Sequence, residues 1–203
     1  MKRIEIPITN EKNTEENKDS ILRKYRLSSD SIAHLRSKIK HPSSEDRLWL
    51  SRELNATISA EDYDETKDIG KVISLILDGA NVDYHDNNYV DNLLNKCAYK
   101  NHLWTFIHLV KAGADINQKN IMGYTPLISA TSSNSKEILE ILILLGANIN
   151  AKTNFGNTAT DMAIMLNRHE CYEMLVKAGG KAHEDTPYFV YNEEDKKLVK
   201  KKV

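Results

Sequence analysis

Glycine recurs at positions 79, 113, 146 and 179, at separations of 34, 33 and 33 residues, each time inside a similar ending. The endings read Asp78-Gly79-Ala80-Asn81-Val82-Asp83, Ala112-Gly113-Ala114-Asp115-Ile116-Asn117, Leu145-Gly146-Ala147-Asn148-Ile149-Asn150 and Ala178-Gly179-Gly180. A fixed period of this length marks an array of helical repeats, because each unit is too short to bury its own apolar face and must stack on its neighbours.

One unit shows how such a repeat is built. Thr125 precedes Pro126 and Leu127. A threonine hydroxyl accepts from a free N–H of the first helical turn, and proline fits the first helical position, where its missing donor costs nothing. Leu127 and Ala130 face inward, and the small alanine allows neighbouring helices to approach closely. In the following helix Ile138, Leu139, Ile141, Leu142 and Leu145 make an apolar face while Lys136, Glu137 and Glu140 stay wet. Gly146 sits just past the helix end, where a left-handed backbone is cheapest for glycine.

Gly123-Tyr124-Thr125-Pro126-Leu127 and the four endings resemble the ankyrin repeat in period, turn and helix start. The resemblance covers residues 67–183, with a degenerate extension back to about 45. It implies an all-α fold, an ankyrin-repeat solenoid of about four helix-turn-helix repeats with finger hairpins, capped by N-terminal helices. The repeats are read as 45–83 (degenerate), 84–117, 118–150 and 151–183, in an array spanning 45–185. Gly156 to Ala163 opens the last unit by the same pattern. The unit at 84–117 departs from it: Asn92 to Ala98 replaces the Thr-Pro-Leu start, and Thr105 and His108 stand where the family prefers aliphatic residues. Asn95, Ile128 and Asp161 occupy the place of the family's usual histidine, so the bond by which that histidine ties finger to helix is absent or replaced.

Residues 1–18 are polar and charged and are expected as a flexible arm. From 19 to 44, Ile21, Leu22, Tyr25, Ile32, Leu35 and Ile39 recur at helical spacing, which predicts short helices with basic outer faces that cover the open N-terminal end of the solenoid or, alternatively, supply a separate partner-binding helix. Pro42 closes this stretch and Ser44 caps the next helix, marked by Leu48, Trp49, Leu54 and Ile58. The acidic run Glu61 to Glu65 reads as a solvated insert, since it lacks the alternating ligands and central glycine of a calcium loop. Residues 186–203 are expected as a tail whose aromatics pack on the last repeat and whose lysine-rich end is solvated, the alternative being a tail that binds an acidic partner or a nuclear importer.

No chemistry is legible. The seven histidines are scattered, no His-Glu-x-x-His or paired-cysteine spacing occurs, and Cys97 and Cys171 fall at small or aliphatic repeat positions. Every glycine has a turn to explain it, so no phosphate loop remains. The reading is of no enzyme, no catalytic or metal-ligating residue and no cofactor. A net charge of −1 gives no drive toward nucleic acid. The longest apolar run, Ile141 to Leu145, is far short of the ~20 residues that span a bilayer. With no secretory signal and only two cysteines, a cytoplasmic protein, or one delivered without a classical signal into a host cytosol, is expected. It is read as a monomer in isolation.

What remains is surface. Partners of ankyrin repeats contact finger tips and the adjoining inner helices, so the resemblance carries this role to His85, Asn87, Asn88, Ile121, Met122, Tyr124, Phe155 and Asn157 on fingers. On inner helices it falls to Tyr99, Lys100, Met165 and Leu166. Ile121, Met122 and Phe155 stand out because such positions are commonly polar. The implied function is a non-catalytic protein-protein interaction module of the kind used as adaptors, competitive inhibitors, or effectors of intracellular bacteria and viruses. An alternative makes the solenoid a substrate, because Asn117 and Asn150 resemble the finger asparagines modified by a host asparaginyl hydroxylase. A further alternative is an enzyme whose site lies in the N-terminal segment.

Overall fold

The computed structural model describes residues 20–84, 91–183, 189–192 and 197–200. The arm at 1–18 and the finger residues 85–90 lie outside these. After a helical stretch at 20–24, α1 (Ser29–Arg36) leads into a series of antiparallel helix pairs. These are α2 (Ser44–Ser59) with α3 (Glu65–Leu77), α4 (Leu93–Lys100) with α5 (Leu103–Ala112), α6 (Pro126–Ser133) with α7 (Lys136–Leu144), and α8 (Ala159–Met165) with α9 (His169–Lys177). The first members stack on one another as an inner row and the second members as an outer row. In the tail, β1 (Phe189–Asn192) pairs antiparallel with β2 (Lys197–Lys200) and lies against α8, a short ribbon that the sequence reading did not foresee.

The inner helices start and stop by local chemistry. Thr125 Oγ1 accepts from the Ile128 amide at 3.4 Å, and Thr158 Oγ1 from the Asp161 amide at 3.2 Å. Asn92 does the same work in the divergent unit, accepting from the Asn95 amide at 2.9 Å. Inner helices α4 and α6 stop at Asn101 and Asn134, both left-handed (φ 57° and 63°), and Asn167 repeats the geometry after α8. Asparagine tolerates that region better than other residues with a Cβ. The missing histidine is replaced in two units. Asn95 Nδ2 donates to the Tyr124 carbonyl of the next finger at 2.8 Å, and Asp161 Oδ1 accepts from the His183 amide at 2.7 Å.

Three expectations change in detail. The cap of α2 is Ser43, one residue before Ser44, and it accepts from the Asp46 amide at 3.2 Å. The buried face of α2 is Leu50, Leu54 and Ile58, while Leu48 and Trp49 are exposed. At 100° per residue Trp49 falls opposite the buried face, while Leu48 stands at its border. The acidic insert is not wholly solvated. Glu61 and Asp62 are exposed, but Tyr63 OH lies 2.6 Å from Thr105 Oγ1, and Glu65 Oε1 accepts from the Thr105 amide at 2.7 Å. The N-cap of α5, His102, makes no side-chain cap, so Glu65 supplies one from the preceding repeat, with its charge at the positive end of the helix dipole. This also explains a threonine at a fully buried position.

The N-terminal segment lies along the outer row. Its α1 packs on α5, and Tyr25 and Leu27 are buried, with the Tyr25 ring edge-on to Trp104 at 6.5 Å. Arg36 Nε donates to the Lys111 carbonyl at 3.1 Å, the Lys40 amide donates to the Leu77 carbonyl at 2.8 Å, and Lys40 Nζ pairs with Asp78 at 2.8 Å. Two of the basic residues expected on solvated faces thus meet the C-terminal ends of α5 and α3, where free carbonyls favour cations. Gly79 (φ +100°) carries the chain beneath Pro42, where a Cβ would meet the proline ring and stand 2.5 Å from the Lys40 carbonyl.

Candidate interaction surface

The finger turns at 120–124 and 153–157 share one bonding pattern. The Asn120 amide donates to the Tyr124 carbonyl and the Gly123 amide to the Asn120 carbonyl, both at 2.9 Å. The Thr153 amide donates to the Asn157 carbonyl at 2.9 Å and the Gly156 amide to the Thr153 carbonyl at 3.0 Å. Inside each turn the first side chain accepts two more amides. Asn120 Oδ1 takes those of Met122 (3.0 Å) and Tyr124 (2.8 Å), while Thr153 Oγ1 takes those of Phe155 (3.3 Å) and Asn157 (3.2 Å).

This register makes Met122 and Phe155 equivalent, one finger apart. The turns are also tied to each other. The Asn154 amide donates to the Met122 carbonyl at 3.0 Å, and Asn154 Nδ2 to the Ile121 carbonyl at 2.9 Å. A Cβ on Gly123 (φ +78°) would stand 2.5 Å from Asn154 Oδ1 and 2.6 Å from its backbone nitrogen, so the close approach requires glycine. The apolar side chains Ile121, Met122 and Phe155 are 64, 38 and 67% exposed on this cross-tied edge.

Beside the edge the inner row contributes Tyr99, 61% exposed on α4, with Lys100 also exposed. Tyr99, Met122 and Tyr124 line one groove of about 210 Å³ together with Asp91, Asn120 and Ser129. Asp91 and Ser129 were not among the candidates. An acidic residue one place ahead of a helix cap looks like cap chemistry in sequence, and only the fold carries it beside finger two. The remaining candidates are placed differently. Leu166 is exposed just past α8, Met165 is half-buried against the core, and Asn157 is half-buried in its own turn. His85, Asn87 and Asn88 lie outside the described residues.

Asn117 and Asn150 are exposed, and each braces the following repeat. Asn117 Oδ1 accepts from the Asn148 amide at 2.8 Å and Asn150 Oδ1 from the Lys181 amide at 2.8 Å. Asp83 Oδ1 makes the matching contact with the Asp115 amide at 2.8 Å. The acid or amide at the end of each finger motif thus acts as a strut between repeats.

Burial holds the two thiols protonated: Cys97 is fully buried with its pKa raised, and Cys171 is pushed up to about 11. Neither offers the thiolate that nucleophilic or metal chemistry needs. Among the described residues no group of three or more His, Cys, Asp or Glu side chains is placed to hold a metal ion, and no helix is long and apolar enough to cross a membrane.

His102 packs edge-on against Tyr63 at 4.9 Å, and its Nε2 is buried without a hydrogen-bond partner. Burial depresses its pKa below the ordinary 6.5, opposed by the Glu65 carboxylate and reinforced by Lys100; His108 is lowered as well, chiefly by burial. A histidine depressed in the folded state binds fewer protons there than when unfolded, so its contribution is whole above pH 6.5 and is lost as pH falls below that value. The melting temperature should therefore drop from pH 7.5 to about 5.5. His102→Asn should flatten that slope in calorimetry, and an unchanged slope would remove His102 from the account.

A family model for ankyrin repeats, in three copies, matches residues 94–185. A search of curated proteins returns no match. The match begins within α4 and ends just past the strut from Asn150, so it covers the tied fingers, the helix pairs behind them and the groove except for Asp91. Repeats of this family generally serve as protein–protein interaction modules. Period, cap chemistry, paired helix rows and the family match agree: residues 94–185 of the chain are ankyrin repeats.

Proposed function

We propose that the chain is a non-catalytic binding module that docks a protein partner on the edge formed by Ile121, Met122 and Phe155 and on the adjoining inner-helix surface around Tyr99. The observation that carries this reading is the cross-tied pair of finger tips. Large apolar side chains are held in water on a backbone fixed by inter-finger hydrogen bonds, so little order remains to be gained on binding. Exposed apolar and aromatic anchors rimmed by amides, here Asn120, Asn154 and Asn157, suit a binding hot spot. Adaptor, inhibitor and host-directed effector would all use such an edge.

A photo-crosslinking phenylalanine analogue placed at 155 should trap a partner in cytosol, while the same group at 104, exposed on the outer row, should not. Equal trapping at both positions would contradict the assignment. Phe155→Ala should change stability by no more than about 0.5 kcal/mol, as exposed substitutions do. A larger loss in a urea melt would mean that the ring is core and not contact.

A further inference from the structure

The groove beside finger two has a chemistry of its own. It is lined by Tyr99, Tyr124 and Met122, and by the polar residues Asp91, Asn120 and Ser129. Its volume of about 210 Å³ lies below the ~300–1,000 Å³ of small-molecule sites and is of a size for one long side chain. Asp91 is fixed there by Asn120, whose Nδ2 donates to Asp91 Oδ1 at 2.5 Å. Asn120 is in turn immobilised, since its Oδ1 holds the Met122 and Tyr124 amides. The partner that orients the carboxylate is a neutral amide, and no salt bridge among the described residues neutralises Asp91. A preorganised negative charge, without a cationic partner among the described residues, thus stands in a groove lined by two tyrosines and a methionine.

From this arrangement we infer that the groove receives a lysine or arginine side chain of the partner polypeptide, its methylenes along Met122 and the tyrosine rings and its cationic head at Asp91. Aromatic faces attract cations, and the aliphatic stem of such a side chain covers apolar surface while its head meets the carboxylate. A purely apolar side chain would bury Asp91 unpaired, and an acidic one would be repelled. The inference rests on reading the finger face as the docking surface, and it adds the charge of the residue that enters.

The test uses the full chain, labelled with nitrogen-15, titrated with capped glycyl-lysyl-glycine, glycyl-arginyl-glycine and glycyl-norleucyl-glycine. The two basic peptides should shift the amides of Tyr99, Asn120, Met122 and Tyr124 saturably, with dissociation constants of about 1–30 mM. Norleucine, which keeps the stem and lacks the charge, should shift them at least about fivefold more weakly. Asp91→Asn keeps the oxygen that accepts from Asn120 and removes the charge, and it should weaken the basic peptides roughly two- to fivefold. An unchanged spectrum elsewhere in that variant confirms the fold. Tyr99→Ala, at an exposed position, should weaken them as well. Norleucine binding as well as lysine, no saturable shift with either basic peptide, or indifference to Asp91→Asn would each overturn the inference. Should the crosslinker at 155 still trap a partner in that case, the docking edge stands and only the charge assignment falls.

Discussion

Phe106→Ala should cost about 3–5 kcal/mol of folding free energy, read as a shift in the urea midpoint. The ring is fully buried on α5, the helix packed against α1 on the outside, α3 and α7 along the outer row, and α4 within its own pair. Removing it deletes the apolar transfer energy and leaves a cavity, since four surrounding elements cannot all collapse inward. The neighbouring Thr105 resists collapse in particular, because its hydroxyl contacts Tyr63 and its amide is held by Glu65. A loss below about 1 kcal/mol would show that the second repeat is loosely packed.

Asp161→Ala should be the next most damaging change, costing about 2–4 kcal/mol by thermal or urea denaturation. This carboxylate is almost wholly buried and accepts from the Thr158 amide and the Thr158 hydroxyl, both at 2.8 Å, and from the His183 amide at 2.7 Å. The bond from the Thr158 amide is one half of the capping box of α8, and the bond from His183 holds the chain that leaves the last repeat. Truncation removes the acceptor of two amides at once, while the Thr158 hydroxyl keeps the Lys181 carbonyl at 2.9 Å, and a buried donor without a partner costs more than a made bond contributes. Asp161→Asn keeps an acceptor oxygen and should lose less. Equal losses for both variants would show that charge, not hydrogen-bond count, sets the effect.

What could be read in the sequence was local. Gly113, Gly146 and Gly179 follow helix ends with positive φ, and Thr125, Pro126 and Thr158 start helices by rules that act within one turn. The apolar face of α7 is legible for the same reason, with Ile138, Leu139, Ile141 and Leu142 all fully buried. Trp49 shows the limit of hydrophobicity as a guide, because an indole counts as apolar whichever way the helix turns it, and the inward direction of α2 depends on where α3 and α4 lie. Arg36 reaches the Lys111 carbonyl across 75 residues, and Tyr63 reaches Thr105 across 42; neither separation leaves a periodic trace. The proposed docking edge is half visible in the sequence. Ile121, Met122 and Phe155 announced themselves as apolar residues at finger positions, but their cross-tie depends on Asn154 facing the neighbouring turn. Asp91 became a candidate only when folding brought it to Asn120 and Tyr99.

The central claim is that this protein acts through its finger edge, and a quantitative pull-down tests it most directly. Wild type, a Met122→Ala/Phe155→Ala double variant and a Trp104→Ala control on the outer row, each confirmed as folded, are compared in cytosolic lysate. The account predicts a partner held by wild type and by Trp104→Ala and lost by the double variant. A partner held equally by wild type and the double variant would contradict it and move the site to the outer row and its N-terminal segment.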